Sequence, residues 1–133
     1  MSQSSNQLAD EYQAIQHRPI EYLTENGFTI VRLSEFNRTT AIAGEYDFLV
    51  GDPHGYELEI TVVVDRSAVI EVARRSRGRI SSQSSYWICC AERHLATYLW
   101  EHDDYPPDAK LNVTQLSLDD LNLALRWGRD GNI

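Results

Sequence analysis

Apolar positions along the chain switch between helical and extended rhythms. Over residues 8–26, Leu8, Tyr12, Ile15, Ile20 and Leu23 keep helical spacing, with Pro19 opening a fresh turn and Gly27 as the stop. The β-branched run FTIVRL (28–33) predicts a strand, and the polar stretch 34–44 a loop or weak edge strand. EYDFLV and YELEITVVV flank GDPHG, a cluster of turn formers, and together predict a hairpin with a five-residue connection. Residues 67–81 carry Ala68, Val69, Val72 and Ala73 ahead of several arginines, an amphipathic helix. After the SSQSS linker, YWICCA is expected as a strand buried on both faces. ERHLATYLWEH then predicts a helix whose apolar face is Leu95, Ala96, Leu99 and Trp100. KLNVTQL reads as a strand, and Ser117 with Asp120 three residues on gives the spacing of a capping box for a last helix ending at Trp127 and Gly128.

The resulting order is α–β–β–β–α–β–α–β–α, an α/β domain built on a mixed sheet with flanking helices. At 133 residues the chain has room for one such domain, 8–133, behind a polar tail at 1–7.

Composition narrows the classes. An apolar share of 42% supports a packed core, and no apolar run approaches the ~20 residues that span a bilayer. The first ten residues lack a basic region and an apolar stretch, so no secretory signal is expected. Two adjacent cysteines, Cys89 and Cys90, cannot make a disulfide framework, and a reducing cytoplasm is the expected compartment. The net charge of −8 works against nucleic-acid binding, which draws affinity from neutralised phosphates. The basic residues are unevenly placed, however: Arg66, Arg74, Arg75, Arg77 and Arg79 lie close together, and Lys110 is the sole lysine.

The hairpin carries the chemistry. Centred on Pro53, it sets Asp47 opposite Glu59 and Glu45 opposite Thr61. Alternation then puts Glu45, Asp47, Glu57, Glu59 and Thr61 on one face and Tyr46, Phe48, Leu58, Ile60 and Val62 on the other. Like charges directly opposed across a strand pair repel. A hard divalent cation, Mg²⁺ or Mn²⁺, relieves that repulsion and can activate water against a phosphodiester. A solvated carboxylate face that keeps an edge strand soluble is the plainer alternative.

GEYDFLVGDPHGYELEITV (44–62) resembles the active-site hairpin of the PD-(D/E)xK, restriction-endonuclease-like nucleases, in the branch of Holliday-junction resolvases and Mrr-type enzymes. The helix, glycine stop and strand expected through YLTENGFTIVRL resemble the lead-in of that family, and the likeness covers most of residues 8–116. It implies a restriction-endonuclease-like fold, Mg²⁺-dependent hydrolysis of DNA, Asp47 and Glu59 as metal ligands, Glu45 and a position near Gln16 as accessory groups, and pairing as a homodimer. The sequence departs from the family at its lysine, whose place is held by Thr61, a hydroxyl without charge, and at the helix-borne Glu, whose place falls near Gln16.

Arg66, Arg74 and Arg77 are the candidates for phosphate contact, with Arg74 and Arg77 three apart on one helix face; helix capping and pairing with carboxylates is the alternative. His17, His54, His94 and His102 show no metal-ligand spacing, Cys89 and Cys90 read as small buried hydrophobes, and Trp87, Trp100 and Trp127 as core. The acidic residues of 101–108 lack the glycine and spacing of a calcium loop. Two functions remain: a metal-dependent nuclease using Asp47, Glu59 and Thr61, with catalysis weakened or lost by the missing lysine, or a non-catalytic interaction or regulatory module binding a protein partner.

Overall fold

A computed structural model describes residues 21–33 and 44–127. Five strands, β1 (Glu21–Leu23), β2 (Thr29–Arg32), β3 (Glu45–Gly51), β4 (Glu57–Val64) and β5 (Lys110–Val113), form one sheet in the order β1-β2-β3-β4-β5. The first three pairings are antiparallel, and β4 pairs with β5 in parallel. A parallel neighbour needs a crossover. Helices α1 (Arg66–Arg75) and α2 (Tyr86–His102) supply it, and α3 (Leu118–Arg126) follows β5. The expectation of an α/β domain with a mixed sheet and flanking helices agrees with this architecture.

Strand alternation sends Ile30, Phe48, Val50, Ile60, Val62 and Val64 to one side of the sheet, where they are buried together with Trp87, Leu95 and Leu99 of α2. Each such side chain contributes about 1.5–3 kcal/mol by leaving water, so this layer supplies the main driving force for folding. Tyr86 and Trp127 meet edge to face with centroids 5.6 Å apart, closing α3 over the start of α2.

Four expectations are corrected. The segment Glu21–Leu23 is a strand and not the end of a helix: it pairs with β2 through a tight turn in which Thr24 N–H donates to the Phe28 carbonyl at 2.8 Å. Asn26-Gly27 is a hairpin signal; Gly27 has φ +95°, and a Cβ there would come within 3.1 Å of Pro53. Residues 8–20 of the expected first helix, the tail 1–7, Gln16, His17 and Gly128 lie outside the described residues.

YWICCA is the first stretch of α2, not a strand. Tyr86, Trp87 and Ile88 are all buried because this end of the helix is enclosed by the sheet and α3, which erases the helical period a sequence pattern relies on. The arginine-bearing helix ends at Arg75, earlier than expected: Arg77 has φ +56°, and Gly78 N–H returns to the Ala73 carbonyl at 2.8 Å. Trp100, expected in the core, is 52% exposed, while its neighbours Leu95, Ala96 and Leu99 are buried as expected.

Candidate functional site

The β3–β4 hairpin keeps the predicted faces but not the predicted register. Phe48, Ile60 and Val62 point inward and are fully buried; Glu45, Asp47 and Thr61 are half-buried on the other face, and Glu57 and Glu59 are exposed there. Asp47 faces Thr61, Leu49 faces Glu59, and Glu45 faces Val63. The expected opposition of Asp47 to Glu59, and of Glu45 to Thr61, is therefore wrong by one step of the turn.

The turn explains the shift. The Asp52 carboxylate accepts from the backbone N–H of His54 at 2.8 Å and of Tyr56 at 3.0 Å, so the reversal opens at Asp52 and centres on His54 instead of Pro53. Gly51 stays in β3, where a Cβ would meet Thr29 Oγ1 at 2.7 Å. Shifting the centre by one residue moves the pairing by two, which preserves every inward and outward assignment.

This register separates the carboxylates. Asp47 and Glu59 become diagonal neighbours, about 7–8 Å apart between backbones in such pairs, and the repulsion that called for a cation is reduced. The Thr61 hydroxyl donates to Asp47 Oδ1 at 2.7 Å, so these two cross-strand partners engage each other.

Three of the clustered arginines have partners. Arg74 spans both Glu71 oxygens at 2.9 Å and Arg75 Nε meets the same carboxylate at 2.5 Å. Hydrogen bonds from Arg75 and then Arg74 hold the Glu71 carboxyl below its ordinary range. Arg79 donates to the Leu125 carbonyl at 3.0 Å. Arg77 lies beyond the helix end, so it does not share a helical face with Arg74, and Arg66 is exposed at the first position of α1. His54 sits on the turn surface, as expected.

A second constellation lies where α2 meets α3. Ser117 and Asp120 form the predicted capping box: Asp120 N–H donates to Ser117 Oγ at 3.1 Å, and Ser117 N–H to Asp120 Oδ2 at 2.9 Å. The same carboxylate receives the Arg93 guanidinium on Oδ1 and His94 Nε2 on Oδ2, the latter at 2.6 Å. Tyr86 Oη donates to the Asp120 carbonyl at 2.7 Å. Burial pushes the Asp120 carboxyl up, but hydrogen bonds from His94 and Ser117 and the charges of His94 and Arg93 outweigh it and hold the group well below the usual range. Beside it the buried Cys90 thiol is pushed up to about 12, by desolvation first and then by the Asp120 charge.

Cys90, His94 and Asp120 bring their donor atoms within 4.8 Å of one another, the one group of three or more such residues among the described residues that could hold a metal ion. An open cleft of about 390 Å³ reaches His94 and Asp120 and is lined also by Arg93, Tyr98, Asn112 and Asp119. Sequence reasoning missed this place because it put Cys90 on a strand and His94 on a helix; as one helix, Cys90-x₃-His94 is the i, i+4 spacing that shares a face. It also missed the ion pair of Arg32 on β2 with Glu92 on α2, held by two bonds of 2.9 Å with side chains only 16% and 11% exposed.

No protein-family model matches this chain, and neither the curated proteins nor the solved structures compared with it include a significant match.

Proposed function

We propose that this is a nuclease-like α/β module that does not cut nucleic acid and acts by binding a protein partner. The reading rests on one observation: the hydroxyl of Thr61 donates to Asp47 where a catalytic lysine is expected to face the attacking water. A threonine brings no positive charge to a developing phosphorane and cannot take over that role. Support for the nuclease-like core comes from the three-strand meander β2-β3-β4 followed by a helical crossover to a parallel strand. Support for the loss of hydrolysis comes from the register, which offsets Asp47 from Glu59, and from the pairing of Arg74 and Arg75 with Glu71. A net charge of −8 opposes a polyanionic substrate, and the exposed Leu23, Ile70, Trp100 and Leu118 offer apolar anchors to a protein.

The test is incubation of the full chain with plasmid and branched DNA in Mg²⁺ and in Mn²⁺, beside Asp47→Ala. We expect both proteins to leave the DNA intact. Metal-dependent cleavage by the parent chain that disappears in D47A would overturn the proposal and restore Asp47 and Glu59 as metal ligands.

A further inference from the structure

Cys90 and His94 are four residues apart on α2 and face the first turn of α3, where Asp120 occupies the third helical position. Tetrahedral Zn²⁺ holds sulfur at about 2.3 Å and nitrogen or oxygen at about 2.0–2.1 Å, which sets its donors roughly 3.3–3.6 Å apart. The three donor atoms here lie within 4.8 Å of one another, with His94 Nε2 and Asp120 Oδ2 at 2.6 Å. A displacement of about 1 Å brings donors in this range to that geometry. We propose that Cys90, His94 and Asp120 form a Zn²⁺ site that joins α2 to α3, with water from the adjoining cleft as the fourth ligand. The inference is independent of the reading of the hairpin face.

The chemistry of the donors selects the metal. A thiolate and an imidazole suit Zn²⁺ and exclude Mg²⁺, which takes oxygen. A neutral imidazole with its proton on Nδ1 would offer the Nε2 lone pair to Zn²⁺ in place of the contact with Asp120. Zn²⁺ also displaces the Cys90 thiol proton to solvent. Thiolate and carboxylate together balance the charge of the ion, so the Arg93 guanidinium does not face a net positive centre. Arg93 holds Asp120 Oδ1 and Ser117 N–H holds Oδ2, an outer shell that fixes the carboxylate while Oδ2 exchanges its histidine bond for a metal bond.

The full chain, stripped with a chelator, is titrated with Co²⁺ and then Zn²⁺. The proposal expects a thiolate-to-cobalt charge-transfer band and tetrahedral d–d bands saturating at one equivalent, both erased by Zn²⁺. It also expects Zn²⁺ at about a hundredfold over its Kd to raise the melting midpoint by roughly 8–10 °C, with Mg²⁺ giving no shift. Cys90→Ala and His94→Gln lose the bands and the shift, whereas Cys89→Ala and Asp47→Ala keep both. If C90A does not fold, the parent chain against H94Q and C89A decides. Absence of the charge-transfer band in the parent chain, or its loss in C89A with retention in H94Q, overturns the site.

Discussion

Asp47 and Asp120 are both carboxylates hydrogen-bonded to a neighbouring Ser or Thr, and they illustrate opposite uses of the same group. Asp47 stands half-buried on the outer face of a hairpin, with the neutral hydroxyl of Thr61 on one oxygen. Asp120 is 2% exposed and gathers the backbone N–H of Ser117, His94 and Arg93. The first sits in a hairpin whose sequence resembles a nuclease motif; the second was legible only as one half of a capping box. Burial makes the difference, because a charge removed from water must be met by charge and hydrogen bonds, and breaking such a set leaves the remaining partners uncompensated. On a half-exposed sheet face, water substitutes for most of what is lost.

Removing the two carboxylates should therefore have unequal consequences, and the largest effect is expected at α3. Asp120→Ala takes away the acceptor half of the capping box and leaves Arg93 and His94 without their carboxylate, so we expect a loss of about 3–5 kcal/mol in urea unfolding. A loss below about 1 kcal/mol would put the two sites on equal terms. Next comes Glu92→Ala, which leaves Arg32 without its bidentate partner between β2 and α2. About 2–4 kcal/mol is expected there by the same measurement. The Arg32 guanidinium is held protonated above its ordinary range by the hydrogen bonds it donates to Glu92, against the lowering effect of burial, so no shift of pH relieves that loss.

Acid should sharpen the comparison. The Asp120 carboxyl is depressed in the folded chain, so its contribution is fully present above the unfolded value of about 4 and is lost as pH falls through the folded one. Urea midpoints measured from pH 6 down to pH 3 should fall for the parent chain and fall less steeply for Asp120→Asn. A parallel decline in the two proteins would show that other carboxylates govern acid unfolding. The smallest effect is expected on the sheet face, where Thr61→Val removes one hydroxyl from Asp47 at a cost of about 0.5–1.5 kcal/mol by thermal or urea unfolding.

Legibility in the sequence followed the same division. Strict alternation through EYDFLV and LEITVVV fixed which residues point inward, because a period of two admits only two answers. Register required knowing where the turn opens, and that depended on the Asp52 side chain capturing two backbone N–H groups, a choice that Gly51 and Asp52 made equally plausible by composition. TENG reads equally as a helix stop and as an Asn-Gly hairpin turn, and the pairing of β1 with β2 decides between them. YWICCA hid its period because that end of α2 is buried on several sides, and with it went the Cys90–His94 spacing. The capping box at Ser117 was readable because it is local, while the arrival of Arg93 and His94 at Asp120 depends on packing between helices far apart in sequence.

Thermal melts of the parent chain, D47A and H94Q, each with Mg²⁺ and with Zn²⁺, test most directly the claim that metal-binding chemistry resides between α2 and α3 and not on the hairpin. The account predicts a Zn²⁺-dependent rise in the parent and in D47A, none in H94Q, and no response to Mg²⁺ in any of the three. A Mg²⁺-dependent rise in the parent that vanishes in D47A, together with indifference to Zn²⁺, would contradict it.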